Sequence, residues 1–247
     1  GDDPETRSFA YDALGQLVRV SRAAGSVDLG GGTEVLGHYD YDPLGMRIRE
    51  WHADAQGAQG PPGRERLYAN GRVLEEYGIA SLDGQSAAEA PNRRYRWVGG
   101  QLLSADVDGE GEGFGRGYVH GDAMGSVGAV TAEGEPSVQG AWDQESFGAR
   151  EARPENTDGL GRLRHGFTGH VTDDATGLVY MRARYYDPEL GMFITHDPLA
   201  GSSGDPRSQL RYQYAHGDPV NLMDPTGMVT EGAGTSGTSG SAGSPTA

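Results

Sequence analysis

Aspartates followed by proline, and two spaced arginines, are the side chains of this sequence that could do chemistry. Asp-Pro pairs begin at Asp3, Asp42, Asp187, Asp197, Asp205, Asp218 and Asp224, and the arginines are Arg182 and Arg184. Two carboxylates held close together cannot both ionise, so one keeps a proton while the other can activate water. An arginine stays charged and can hold the ionised carboxylate in place. Such a pair could hydrolyse an amide bond, but Asp before Pro also starts ordinary turns. On residue types alone both interpretations stay open.

A second group of polar residues lies in the segment YVHGDAMGSVGAVT. It contains His120, Asp122 and Ser126, the residue types of a hydrolase triad. The serine does not have the spacing of the G-x-S-x-G nucleophile elbow, because Gly125 directly precedes it. The segment therefore predicts a hydrogen-bonded turn and not a triad.

The composition favours a protein built from short strands and turns. The chain has 247 residues, of which 42 are glycine, and its hydrophobic fraction is 35%. These values disfavour a helical bundle and favour many short strands joined by glycine turns. We therefore expect an all-β fold in which helix is nearly absent.

The net charge and the absence of cysteine disfavour or exclude several kinds of binding site. The net charge of −16 repels phosphate backbones and anionic membranes, so we expect no nucleic-acid binding. The absence of cysteine excludes disulfides and thiolate metal sites, and we expect no cofactor and no metal. No apolar run is long enough for a transmembrane helix. The chain begins with neither an initiator methionine nor a signal peptide, which indicates a fragment of a longer protein.

The first half of the chain repeats one unit, in which an aromatic residue, a turn with glycine and an alternating strand follow one another. The four copies contain Tyr11, Tyr41, Tyr68 and Tyr95, at separations of 30, 27 and 27 residues. A fixed period of this size marks a repeat architecture. In YDPLGMRIRE, Asp42 starts the turn and Gly45 supplies positive φ, which predicts a β-hairpin. A lone hairpin is marginal in water, so the units must add edge to edge into a long sheet. A degraded copy follows, with Trp142–Asp143 in place of Tyr-Asp and a turn at Phe147–Gly148.

The stretch GLVYMRARYYDPELGMFITHDP, residues 177–198, carries the most specific pattern. Its parts are Tyr180, Arg182, Arg184, Tyr185, Tyr186, Asp187, Pro188, Gly191, Phe193, Asp197 and Pro198. Alternation with Met181 and Ala183 predicts that both arginines point to one face of a single strand. Together with the tyrosine–aspartate units, this stretch resembles the Rhs/YD-repeat proteins of bacteria and their RHS repeat-associated core domain. Insecticidal toxin complex C components and polymorphic toxins share these features.

The resemblance implies a fold and a domain organisation. The repeats would form a spiralling β-sheet that is part of a hollow β-shell. Residues 1–117 would be YD repeats, and residues 118–228 would be the core domain. Residues 229–247 would be the low-complexity stump of a variable C-terminal region.

The resemblance also implies an activity and a setting. In this family the core domain acts as an aspartyl-type self-protease, and the residues that match its motif here are Arg184, Asp197 and Asp224. The cut would fall after the DPTGM motif, between Met228 and Val229. A C-terminal toxin polypeptide, absent from this sequence, would be encapsulated and released. The partners would be that segment and a delivery machine or a B-type component of a toxin complex. The protein would be secreted or on the bacterial cell surface.

A non-enzymatic function stays open beside this one. A cell-surface or wall-associated YD-repeat scaffold would bind glycans or partner proteins without cutting itself. Trp51, Tyr95 and Trp97 could contact sugars in such a scaffold. The same aromatic residues fit inward cross-strand packing, which the alternation of the strands favours.

Overall fold

A computed structural model describes residues 6–23, 33–52, 63–69, 71–79, 91–108, 114–135, 137–153, 159–199, 201, 204 and 206–232. Over these residues the protein is all-β, as predicted. The helical segments among them are short 3₁₀ turns, and none is long and apolar enough to cross a membrane.

Twelve antiparallel strands form one sheet, and each pairs with the strand before it in the chain. The strands are β1 (Arg7–Tyr11), β2 (Leu17–Ala23), β3 (Thr33–Tyr41), β4 (Arg47–His52), β5 (Gly63–Ala69), β6 (Arg72–Ile79), β7 (Arg93–Val98), β8 (Gln101–Asp108), β9 (Phe114–Gly121), β10 (Val127–Ala132), β11 (Val138–Gln144) and β12 (Arg150–Ala152). This order is an unbroken series of hairpins, which confirms the predicted sheet. The sheet continues through position 118, where the predicted domain boundary lies, and the domain division stays a prediction.

The tyrosine–aspartate turns share one hydrogen-bond plan. Between β3 and β4, a carboxylate oxygen of Asp42 accepts the backbone N–H groups of Leu44 and Met46, each at 2.9 Å. Gly45 has a φ of +84°, which a side chain would disfavour. Asp12 arranges the β1–β2 turn in the same way. In these two units the aspartate therefore closes the hairpin that the sequence predicts.

The degraded repeat differs in detail from its prediction. Gly148 has a φ of +91°, as a turn glycine should. The first position of this turn, however, is Glu145, whose N–H donates to Ala149 O and whose carbonyl accepts from the Gly148 N–H. Asp143 lies inside β11 and pairs with Arg153 on the surface. The prediction that Trp142–Asp143 replaces Tyr-Asp at the turn is wrong, because the register places the turn two residues later.

A second layer, built from residues 159–232, packs against this sheet. Its own small sheet consists of β13 (Val171–Thr172), β14 (Val179–Met181), β15 (Arg184–Asp187) and β16 (Met192–Phe193). One contact between the layers is an apolar cluster of Leu17, Val20, Tyr39, Leu178, Tyr180 and Tyr185. Burial of these side chains helps to hold the C-terminal third on the repeats.

Buried ion pairs also join the two layers. Glu50 accepts a hydrogen bond from Arg66 at 2.8 Å, and Glu76 accepts one from Arg164 at 2.7 Å. Arg164 also pairs with Glu50, and Arg47 bridges Glu50 at 3.2 Å. All five side chains are nearly inaccessible to solvent. Since Arg164 comes from the second layer, its two carboxylate partners fix that layer to strands β4 and β6.

The Arg-x-Arg segment is a hairpin turn and not one strand. Met181 pairs with Arg184, so Arg182 and Ala183 form the two-residue loop between β14 and β15. Arg182 has a φ of +61°. The expectation that both arginines share one strand face is therefore wrong, because tight hairpin loops require positive φ within the loop.

The aromatic residues considered for sugars have packing roles. Tyr95 and Trp51 are buried in the described structure. The Trp97 indole N–H donates to the Val73 carbonyl at 2.8 Å, and the Arg72 guanidinium lies over its ring. The packing interpretation of Tyr95 and Trp51 is confirmed.

Candidate active site

The DPTG turn lies in a loop whose two ends are paired. β17 (Leu222–Met223) leads into the turn, and the chain returns as β18 (Glu231–Gly232), which pairs antiparallel with β17. The loop between them, residues 224–230, contains the predicted Met228–Val229 bond. This bond is therefore held from both sides by a short β-ribbon.

The turn sits directly on the β14–β15 hairpin loop. The Ala183 N–H donates to the Thr226 carbonyl at 3.2 Å. Gly227 has a φ of +73°, and a Cβ atom there would lie 2.2 Å from the Met181 carbonyl oxygen. Only glycine lets the two backbones approach this closely.

The Arg184 guanidinium bonds to two separate backbone segments, at Gly227 and at Arg211. Its Nε donates to the Gly227 carbonyl at 2.5 Å, and its Nη1 donates to the Arg211 carbonyl at 2.9 Å. The guanidinium carbon lies 3.6 Å from the centre of the Phe193 ring. These contacts fix the plane of the guanidinium, because it is bonded at two edges and packed on one face.

Both predicted aspartates meet the same guanidinium nitrogen. Arg184 Nη2 lies 2.9 Å from Asp197 Oδ2 and 3.2 Å from Asp224 Oδ2. The fold thus brings together the three residues predicted from the sequence, although Asp224 is 40 positions from Arg184.

The carboxylate of Asp224 is buried against the backbone of the predicted cleavage bond. The residue is 2% exposed. Its Oδ1 accepts the N–H groups of Met228 and Val229 at 3.0 Å each, and that of Thr226 at 3.2 Å. Burial raises the pKa of this carboxyl group, and Arg184 and the N–H donors offset only part of that rise. The contact with Val229 involves the nitrogen that would leave on cleavage.

Asp197 has a different environment. Its side chain is 18% exposed, and its Oδ1 caps the Leu199 N–H at 2.8 Å. Arg211 binds the backbone of Asp197, because its Nε donates to the Asp197 carbonyl at 2.9 Å. One carboxylate is therefore buried beside the bond while the other lies nearer to solvent, and such asymmetry separates acid from base roles.

The candidate triad does not form. Asp122 Oδ1 accepts the backbone N–H groups of Met124 and Ser126, which confirms the predicted turn. Ser126 Oγ accepts the Thr168 N–H at 3.0 Å. His120 Nε2 contacts Thr131 Oγ1 at the surface and not the serine.

Two residues at the site were missed by sequence reasoning. His170 Nε2 lies 3.2 Å from the Pro225 carbonyl, and the Tyr214 hydroxyl accepts the Asp224 N–H at 3.4 Å. Neither belongs to a recognisable motif. The partner of His170 is 55 positions away, which no local pattern indicates.

Comparison with known proteins gives the family. No protein-family model matches the chain. It is 33% identical over 225 residues to the tRNA3(Ser)-specific nuclease WapA of Bacillus spizizenii, a match that covers 89% of this chain and 8% of that protein. It is 31% identical over 237 residues to the double-stranded DNA deaminase toxin A of Burkholderia cenocepacia, covering 91% of this chain and 16% of that protein. A chain of the TcdB2-TccC3 crystal structure has the same fold, with a TM-score of 0.67 and 18% identity over 90% of this chain and 10% of that chain.

The chain belongs to the Rhs/YD-repeat family. This Rhs/YD-repeat chain spans less than a fifth of the length of either of these two relatives. Those relatives are bacterial, and the deaminase is a toxin by name. What the chain shares with these relatives is a toxin-related Rhs region, and the nuclease and deaminase activities are those of the relatives.

Proposed function

We propose that this chain is a self-cleaving Rhs module that hydrolyses its own Met228–Val229 bond. The observation that carries the proposal is the contact of Asp224 Oδ1 with the Val229 nitrogen at 3.0 Å. The same carboxylate shares Arg184 with Asp197. One carboxyl group beside the peptide bond and a second that shares its arginine supply the two carboxyl groups that amide hydrolysis needs.

The chemistry assigns a different task to each residue. Asp197, which lies nearer to solvent, is the general base and takes a proton from a water molecule that attacks the Met228 carbonyl carbon. Asp224, whose pKa burial raises, acts as the general acid and gives a proton to the Val229 nitrogen as the carbon–nitrogen bond breaks. The products are a carboxyl group on Met228 and an amine on Val229. Arg184 touches both carboxylates and the Gly227 carbonyl, and thereby keeps them in register with the bond.

The β17–β18 ribbon supports cleavage by proximity. Because both ends of the loop are paired, the bond stays beside the carboxylates without a separate binding step. The β17–β18 hydrogen bonds do not involve the Met228–Val229 bond, so they can persist after cleavage. The downstream chain would then remain bound through its backbone. Retention of this kind suits a protein that encloses a C-terminal polypeptide before releasing it.

The biological role that we propose is encapsulation and release of a variable C-terminal toxin by a secreted Rhs shell. The similarity to toxins and to a TcdB2-TccC3 chain supports this proposal. The twelve-stranded sheet would supply part of the shell wall, and its partners would be the enclosed polypeptide and a toxin-complex component.

The mass of newly made protein tests the proposal. The 247-residue chain would be produced by cell-free translation and followed by intact mass spectrometry. We expect a product that ends at Met228 and a peptide that begins at Val229. The rate should not change on dilution, because enzyme and substrate are one chain. A chain that stays whole, or a cut at scattered bonds after residue 228, would contradict the proposal.

A further inference from the structure

A buried chain of hydrogen bonds connects the β9–β10 turn to the DPTG turn. Ser126 Oγ accepts the Thr168 N–H at 3.0 Å. Thr168 Oγ1 lies 3.0 Å from His170 Nδ1. His170 Nε2 then lies 3.2 Å from the Pro225 carbonyl oxygen. The twelve-stranded sheet is thereby bonded, through three side chains, to the backbone of the cleavage turn.

The partners fix the protonation of His170. A carbonyl oxygen can only accept, so Nε2 must carry the hydrogen that bonds to Pro225. In a neutral imidazole Nδ1 is then an acceptor, and the Thr168 hydroxyl donates to it. Burial, and next the nearby Arg182 and Arg72, lower the pKa of His170 to about 3. The ring is therefore neutral at ordinary pH, with one donor and one acceptor, both engaged.

The backbone beside His170 is held in an unusual conformation. Thr168 has a φ of +47°, a region that β-branched residues rarely adopt. Such a conformation persists where the surrounding contacts over-determine it, and it often marks a functional constraint. Here the contacts are the Ser126 hydroxyl on its N–H and the His170 ring on its hydroxyl.

We propose that His170 is a positioning residue for self-cleavage, an inference that rests on the proposed function. It bonds to the carbonyl of Pro225, directly after Asp224, while the Tyr214 hydroxyl accepts the N–H of Asp224 itself. The main chain of the turn is thus fixed on both sides of the Asp224 side chain. His170 touches no reacting atom; it acts by holding the Asp224 carboxyl group against the Val229 nitrogen.

Two substitutions at position 170 separate hydrogen bonding from packing. His170→Phe keeps a buried ring but cannot donate to Pro225. His170→Gln carries an N–H at a similar reach from the backbone. We expect His170→Phe to slow cleavage about tenfold or more, since small misplacements near a reacting bond are costly. His170→Gln should stay within about threefold of wild type and keep the wild-type pH profile, because a neutral His170 contributes no titration.

A second histidine provides the matched control. His165 is also buried, but both of its ring nitrogens lack a hydrogen-bond partner in the described part of the chain. His165→Phe should therefore cleave at the wild-type rate. Thr168→Val tests the same bonds from their other end if His170→Phe does not fold, and it should slow cleavage several-fold.

The outcomes distinguish this inference from the proposed function. If wild type stays whole, the proposed function fails. If wild type is cut and folded His170→Phe is cut at the same rate, only the positioning role of His170 is overturned. It is overturned equally if His170→Gln is as slow as His170→Phe, since the ring would then act by shape, or if folded Thr168→Val shows no slowing.

Discussion

Asp224 Oδ1 lies 3.0 Å from the backbone nitrogen of Val229. The other oxygen of the same carboxyl group faces Arg184, so both oxygens are engaged and the group cannot rotate freely. The Asp224 carboxyl group therefore lies directly beside the nitrogen that would leave when the Met228–Val229 bond breaks.

The pH dependence of cleavage follows from the buried carboxyl group. Burial raises the pKa of Asp224, so the group retains its proton to a higher pH than an exposed aspartate does. As the pH rises through that pKa, the protonated fraction falls and the general acid is lost. We expect the first-order rate constant to decrease as the pH rises through the raised pKa of Asp224. A rate that increased with pH there would mean that Asp224 acts in its ionised form.

Gly227→Ala should abolish cleavage and destabilise the C-terminal layer. An added Cβ would lie 2.2 Å from the Met181 carbonyl oxygen, and the φ of +73° would be strained as well. Gly134→Ala is the control, because Gly134 has a similar φ of +79° and open space around its Cβ position. The control should cost about 1 kcal/mol in urea unfolding and leave cleavage intact. Normal cleavage by Gly227→Ala would show that the close approach is not needed.

The buried ion pairs make stability depend on pH through Glu76. Burial alone would raise its pKa, but Arg164, Arg66 and other nearby arginines lower it to about 2. A carboxylate with a lowered folded-state pKa stabilises the fold above its unfolded pKa, and that contribution is lost as the pH falls toward the folded value. Glu76→Gln should therefore cost about 3 kcal/mol at neutral pH. The difference from wild type should shrink at about pH 3.

Glu34→Gln is the control for this comparison. Glu34 pairs with Arg22 at 2.8 Å, but both side chains are about one-third exposed. Such a pair contributes at most about 1 kcal/mol. If the two variants lost equal free energy of unfolding in urea at neutral pH, the buried ion pairs would contribute no more to stability than this exposed pair. That result would contradict the prediction.

The sequence predicts the repeats well because their information is local. Each aspartate and glycine of a tyrosine–aspartate turn acts within four residues, so the hairpins could be read directly. The prediction for the Arg-x-Arg segment was wrong because a two-residue hairpin loop can have the same alternation of arginine and apolar residues as a strand. The partners of Glu50 and His170 could not be predicted, because they depend on how the second layer docks on the sheet.

The site itself was predictable only through the family resemblance. Asp197 and Asp224 are two of seven Asp-Pro pairs, and nothing in their residue types separates them from Asp42 or Asp187. What separates them is Arg184, which contacts both. That convergence arises when the DPTG turn meets the β14–β15 hairpin, which sequence spacing alone does not reveal.

The choice of control aspartate also depends on the fold. Asp187 starts an Asp-Pro turn, but it is buried and pairs with Arg7 at 2.5 Å. Neutralising it would disturb stability as well as charge. Asp42 also precedes a proline, and its Oδ1 only caps a hairpin turn. Asparagine retains that oxygen, so Asp42→Asn changes the charge of an Asp-Pro turn and little else.

The most direct measurement is the time course of intact mass for Asp197→Asn, Asp224→Asn, Asp42→Asn and wild type. All four would be made by cell-free translation and matched by circular dichroism. We predict that wild type and Asp42→Asn lose the residues after Met228 at equal rates. Asp197→Asn and Asp224→Asn should stay whole, because asparagine keeps the shape but can neither ionise nor supply the proton. Loss of the same residues from either folded variant at the wild-type rate would contradict the carboxylate mechanism.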